Sequence, residues 1–393
     1  MKVKFVMSAT CPTFVPESRG ERLWQGGFLL LCLMFIPMWS SADELSAQFR
    51  QHGFVNVQRM NALDAVTRHL ATLIDGREEF PTRPEFDAYI RFHLAQAGIF
   101  DSGFWLSILK GKDITDIDLM TDVLPRVNRV APPHYYGRWT GVIKGETYVL
   151  VLLIHHAIDV QLKCFHDEGA QRQNCRLEGQ IQRGYFQPRL LVDHGNDQVV
   201  HHAINLNAHR SFLWSIPDDL RAREWTVEII AENRTGPRVL AVIPFRNGKL
   251  GRLRPRIRLG KTTTEDPRIA LGSRLRQYRA RNSRRGLKRN EALDQVAKTY
   301  ARHLSQVQVL SHRDRKVGFL RQRLAEVGQY PQKMSEILVS GPTALSAFGA
   351  IVDSPAHRVV LLDDSMTDIG LGYVDHYYVI IFARFLEPNG EVR

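Results

Sequence analysis

Apolar positions change their rhythm along this chain, and the changes mark out its parts. Residues 62–74, ALDAVTRHLATLI, and 85–100, EFDAYIRFHLAQAGIF, space their apolar side chains as one face of a helix does. The run TYVLVLLI, residues 147–154, is apolar almost throughout, as a buried strand is. Residues 43–153 are therefore expected to form an α+β unit. Between 154 and 252 the pattern breaks into short strand-forming runs such as QLKCF, FLWSIP, WTVEIIAE and RVLAVIPF, separated by DHGND, PDD and NRTGP. Turn signals at that spacing predict a small β-sandwich.

Helical spacing returns in residues 268–393. The segment LGSRLRQYRARNS stops before Gly286, and Asn290 offers an N-cap to a second helix. That helix carries Leu293, Val296, Ala297, Tyr300, Leu304 and Val307 as a single stripe, which reads as core. Two shorter amphipathic pieces follow, FLRQRLAEVGQY and ALSAFGAIV, with the loop SHRDRKVG before the first. The chain then supplies DIGLGYV and HYYVIIFARF, two strands turned at Asp375. The expected class is α+β throughout.

Charge adds one feature to this picture. The formal net charge is +12, and residues 252–289 hold fourteen Lys or Arg against two acidic residues, so the remainder is near neutral. Tyr278 is the one aromatic ring in that segment, which argues against base stacking and so against nucleic acid. Two readings stay open, a solvated linker over 253–267 continuing into a helix face, or a clamp for an anionic envelope polymer.

At the other end, Lys2, Lys4, Arg19 and Arg22 precede the apolar run FLLLCLMFI, residues 28–36, and then Ser40, Ser41 and Ala42. Nine apolar residues suit a signal-peptide core better than a membrane span, so residues 1–42 are expected to be removed on export. The mature chain then has no transmembrane span and is secreted or periplasmic. Cys11 and Cys32 leave with the leader, and Cys164 with Cys175 could close a short loop in an oxidising compartment.

Several motifs over 268–393 resemble, in order, those of the CAP superfamily, which includes cysteine-rich secretory proteins, antigen 5 and pathogenesis-related 1. LRQYRARNSRRGLKRNEALDQVAKTYARHL is similar to the opening helices, and LSH at 310–312 to the turn bearing a first cavity histidine. QRLAEVGQY, SEIL, SPAHR and DIGLGYV follow in the family's order. The resemblance implies an α-β-α sandwich with His312, Glu336 and His357 at a ligand-binding cavity. It also implies that His312 and His357 could hold a divalent cation, zinc or magnesium. Lipid or partner-protein ligands occur in the superfamily, so binding is favoured over catalysis.

Two alternatives stand beside binding. Glu336 could act as base in a metal-assisted hydrolase or peptidase, or the chain could be an envelope scaffold attached through its basic segment. Departures from the family pattern weaken catalysis: Ile337 stands where asparagine is expected and Ile351 where tryptophan is. The second cavity glutamate has no counterpart, Asp353 being the nearest carboxylate.

A weaker internal likeness joins HLAQAGIFDS, from residue 93, to HLSQVQVLSH, from 303, and continues through LSIL and SEIL. It implies a degenerate CAP-like unit at 59–153, with Ser102, Ser107 and Val127 where His312, Glu336 and His357 stand. The middle region resembles immunoglobulin-like modules, implying a spacer or adhesion role. The pairs His155 with His156 and His201 with His202 read as alternating surface positions.

Overall fold

The computed structural model describes residues 42–81, 83–127, 132–166, 173–195, 198–217, 224–246, 249–251 and 265–385. The expected leader up to Ser41 and the first third of the basic segment, 252–264, lie outside them. The fold is α+β, built from three parts in chain order.

The first part runs α1 (Ala42–Gln51), β1 (Gln58–Arg59), α2 (Asn61–Asp75), α3 (Arg83–Gln96), β2 (Phe104–Lys110), α4 (Asp116–Val127), β3 (Tyr135–Ile143) and β4 (Glu146–Ile154). Its strands lie in the order β1-β3-β4-β2. Strand β4 is buried on both faces because both are covered, which is why its sequence reads as an unbroken apolar run. Leu150, Leu152 and Ile154 pack under α2 and α3, while Val149, Val151 and Leu153 pack toward α1 and α4.

The second part holds two antiparallel sheets around one core. One sheet contains β5 (Ile158–His166), β6 (Gln173–Ile181) and β9 (Ser211–Ser215). The other contains β7 (Phe186–Asp193), β8 (Val199–Ala203), β10 (Glu224–Asn233), β11 (Gly236–Arg246) and β12 (Lys249–Leu250). Cys164 and Cys175 face each other across β5 and β6 and are disulfide-bonded. The bond closes a loop of eleven residues' separation, so its reduction should lower unfolding free energy by about 2–3 kcal/mol on chain-entropy grounds. Urea denaturation with and without reductant measures this, and an unchanged midpoint contradicts it.

The third part runs α5 (Pro267–Arg281), β13 (Lys288–Arg289), α6 (Glu291–Val307), β14 (Arg313–Asp314), β15 (Gly318–Phe319), α7 (Leu320–Ala325), β16 (Lys333–Ser340), α8 (Ala344–Asp353), α9 (Pro355–Leu361), β17 (Asp368–Val374) and β18 (Tyr377–Arg384). Helix α5 begins earlier than its apolar pattern suggests, because Asp266 accepts the Arg268 N–H at 2.8 Å and Pro267 supplies a first-turn residue. Much of the described basic segment is used internally. Arg279 is buried and donates to the Leu361 and Asp363 carbonyls, Arg268 pairs with Asp266, Arg284 with Asp364, and Arg289 with Asp294.

The first and third parts share one plan. The third sheet has the order β13-β17-β18-β16, with β13 parallel to β17 just as β1 is parallel to β3. A Cβ at Gly137 would lie 2.4 Å from the Leu63 Cβ, and one at Gly370 would lie 2.4 Å from the Leu293 Cβ. Only glycine lets each helix approach its sheet that closely. Asp64 accepts the Arg138 N–H at 2.8 Å and pairs with Arg59, while Asp294 accepts the Leu371 N–H at 2.7 Å and pairs with Arg289.

The repeat therefore rests on ALDAV at 62–66 and ALDQV at 292–296, which corrects the match from His93 to His303. His93 lies on α3, whereas His303 lies on α6, whose counterpart is α2. The glutamate position moves as well. Glu336 pairs with Ile381 and Ile381 with Gly370; Leu106 pairs with Leu152 and Leu152 with Gly137. Leu106, not Ser107, thus stands where Glu336 does. Ser107 points to the other face and bonds Asp122 at 2.9 Å, the result of a one-residue slip in strand register.

Candidate functional site

The site in the third part is assembled from the caps outward. The Asn290 side chain accepts the Ala292 and Leu293 N–H groups at 3.1 and 3.3 Å, fixing the start of α6. Three turns on, Tyr300 is buried and donates its hydroxyl to the Ser311 carbonyl, tying the helix to the turn that bears His312. Strand β16 alternates, so Ile337 and Val339 enter one core while Glu336 and Leu338 face the α6 side.

There Glu336 is almost wholly buried, with a side chain 3% exposed. Arg323 on α7 grips both of its oxygens, Nη1 to Oε1 at 2.8 Å and Nη2 to Oε2 at 3.2 Å. The same guanidinium lies 3.4 Å from the centre of the Tyr300 ring. His312 Nδ1 is 3.1 Å from Glu336 Oε2. A carboxylate only accepts, so Nδ1 carries a proton and donates it to Glu336. Burial opposes the Glu336 charge, yet the His312 hydrogen bond and Arg323 outweigh it and hold the carboxyl below the usual range.

His357 sits in the first turn of α9. Ser354 is the N-cap, accepting the His357 N–H at 3.3 Å, and Pro355 is the first helical residue. The Ser-Pro pair is the signal that marks this helix start. Burial, followed by the nearby His312, pushes the His357 imidazole down to about 4, so it is neutral at physiological pH. Among the described residues no hydrogen-bond partner meets the buried His357 Nδ1, while the Ala350 backbone opposes the downward shift. The structure thus joins His312 directly to Glu336 and places His357 within electrostatic reach of His312. Asp353, the nearest carboxylate by sequence, ends α8.

Four residues outside the expected set hold this site against the β-sandwich. The Thr235 carbonyl accepts the Arg313 N–H at 3.1 Å and the Ser311 hydroxyl at 3.3 Å. Beside it, Gly236 has φ +105°, and a Cβ there would stop 2.8 Å from the Cβ of His312. Buried Glu228 accepts the Ala356 N–H at 2.8 Å and the Ser354 hydroxyl at 3.3 Å, capping α9 from another part of the chain. Asp193 pairs with Arg358, which is fully buried on α9, at 2.5 Å. No local pattern marks Glu228 or Asp193, since their partners lie far along the chain.

The donor set does not fit a divalent cation. Both Glu336 oxygens already face a guanidinium, so a cation bound there would sit against Arg323. Among the described residues, no three of His, Cys, Asp or Glu converge to hold a metal ion. Of the expected ligands, that leaves the Nε2 side of His312 and the neutral His357.

Residues 273–382 match the family model described as the cysteine-rich secretory protein family, CAP. The third part of the chain is a CAP domain. Among solved structures, an outer surface protein of Borrelia burgdorferi is similar at 24% identity with a TM-score of 0.28, over 31% of this chain and 98% of that one. An extracellular protein containing an SCP domain from Bacillus anthracis is similar at 16% identity with a TM-score of 0.29, over 68% of this chain and 91% of that one. A cysteine-rich secretory protein from Staphylococcus aureus is similar at 15% identity with a TM-score of 0.28, over 70% and 90%. Among curated proteins, none matches the chain.

Proposed function

We propose that the chain is an exported, non-enzymatic protein that works by binding, its CAP domain held as a fixed body against the β-sandwich. The observation that carries this reading is the capture of both Glu336 oxygens by Arg323, with His312 on the same carboxylate. A carboxylate so paired has its pKa, and with it its basicity, lowered, whereas a general base needs a raised pKa and an open lone pair. A lipid or comparable envelope ligand is the class that the CAP resemblance implies. Export is supported by the apolar run at 28–36 and by the Cys164–Cys175 bond, which suits an oxidising compartment. The N-terminal part, sharing strand order and glycine contacts with the CAP domain, is read as a second unit of the same descent that has Leu106 where the glutamate stands.

Calorimetric titration of the purified chain with zinc and with magnesium tests the absence of metal chemistry. No saturable uptake is expected that differs between wild type and His312→Ala/His357→Ala. Zinc binding lost in that double variant, or a hydrolytic turnover abolished in folded Glu336→Gln, overturns the reading. Native mass spectrometry of the protein from its own host should find a copurified organic ligand.

A further inference from the structure

Where the three parts meet, a cleft of about 1490 Å³ opens, and its lining includes none of His312, Glu336 and His357. One side is apolar, formed by Leu304, Val307 and Val309 at the end of α6. The other sides carry Arg183, Arg234, Arg313 and Arg315. Asp314 is the one carboxylate among the lining residues, and it faces His303 at 3.3 Å. Arg183, Arg234 and Arg315 are exposed, and no ion pair engages them among the described residues.

Behind this lining the positive charge continues. Arg238, partly buried, donates to the Thr235 hydroxyl at 3.4 Å, and its charge is felt by Tyr185 and His155. No carboxylate among the described residues neutralises it, and burial holds its guanidinium below the usual arginine value. A cation in that position costs free energy unless an anion answers it.

His155 and His156 were expected at the surface, but with His134 they form an ordered cluster in which His156 is buried and the other two are half-buried. His155 Nδ1 meets the Pro132 carbonyl at 3.0 Å and therefore holds the proton, so Nε2 accepts the Tyr185 hydroxyl at 3.1 Å. Burial brings His155 down to about 4, with the Pro132 carbonyl opposing, so it adds no charge. His134 Nδ1 accepts the His156 N–H at 2.9 Å, which leaves its Nε2–H as a donor. His156 is the charged member: burial disfavours its cation, but Asp101 and Asp159, each 3.4 Å away, raise it to about 9. That cation is already matched, whereas the arginines are not.

Several unmatched guanidinium groups beside an apolar wall suit a multivalent oxyanion attached to an apolar body. The volume exceeds what a lone inorganic anion needs and leaves ample room for an organic ligand. We infer that the cleft binds a phosphate-bearing organic molecule, its head at Arg183, Arg234 and Arg315 and its apolar part along Leu304, Val307 and Val309. This cleft borders the His312 network, sharing Tyr300, Thr235 and Ser311 with it, but it does not depend on the reading given to His312, Glu336 and His357.

Two probes separate the sources of such a phosphate. Inorganic pyrophosphate is titrated calorimetrically into the full chain, and vesicles of phosphatidylglycerol or of phosphatidylcholine are tested by cosedimentation. Saturable binding of pyrophosphate points to a soluble phosphoester, and capture by phosphatidylglycerol vesicles alone points to a lipid headgroup. Either should weaken about tenfold or more in Arg183→Ala/Arg234→Ala, as loss of charge-assisted hydrogen bonds implies. These side chains are exposed, so the variant should keep its melting temperature. Arg276→Ala, on α5 outside the cleft, should bind as wild type does. The proposal fails if neither probe binds, if the cleft variant binds unchanged, or if Arg276→Ala loses as much.

Discussion

Arg323→Ala should cost about 3–5 kcal/mol of unfolding free energy near neutral pH, because it leaves Glu336 charged and buried without its partner. The same change removes the guanidinium stacked on Tyr300, the side chain that ties α6 to the His312 turn. The pH dependence has a definite sign. In the wild-type chain the Glu336 carboxyl is depressed, so its stabilisation is complete above the ordinary glutamate value of about 4.3 and is lost as pH falls through the folded value. Without Arg323, burial is opposed by His312 alone and the folded value rises. The deficit of the variant should therefore be largest near neutrality and shrink toward acid. Urea denaturation of both proteins across that window reads it; a deficit below about 1 kcal/mol at neutrality would place Arg323 among weak surface pairs.

Asp193→Ala should be comparably costly, about 3–5 kcal/mol, because Arg358 is fully buried and keeps its charge. Here the effect falls on a junction between parts. Asp193 ends β7 of the sandwich, whereas Arg358 belongs to α9 of the CAP domain, and Glu228 caps that helix from β10. Loss of the pair should raise hydrogen exchange across residues 355–361 and broaden or split a single unfolding transition. Asp193→Leu/Arg358→Met should recover most of the loss, since it removes both charges together. Equal instability in the double variant would mean that the ion pair is not the source of the cost.

Much of the CAP domain was legible from local pattern. Asn290 caps α6 as expected, its apolar stripe is core from Leu293 to Leu304 while Val307 is half-buried at the cleft, and DIGLGYV with HYYVIIFARF forms the predicted hairpin at Asp375. His312 and Glu336 meet, as the ordered motifs implied. The basic segment was less legible, because a count of charges does not say which arginines are buried: Arg279 is consumed by carbonyls and Arg284 and Arg289 by carboxylates. The histidine pair at 155 and 156 misled for a similar reason. Alternation predicts one exposed side in an open sheet, but the adjoining parts cover this edge and turn His156 into a buried cation between two aspartates.

What the sequence alone determined is most of the order of helices and strands, the Asn290 cap that starts α6, and the residue types available to the site. These depend on neighbours within a turn or two, where spacing and side-chain chemistry suffice. The tertiary structure decided what those residues do. Arg323 reaches Glu336 from a different element, Asp193 and Glu228 reach α9 from a different part of the chain, and the glycine contacts fix the register in which Leu106 replaces Glu336. Such choices depend on which distant groups burial brings together and on the cost of leaving a buried charge unanswered.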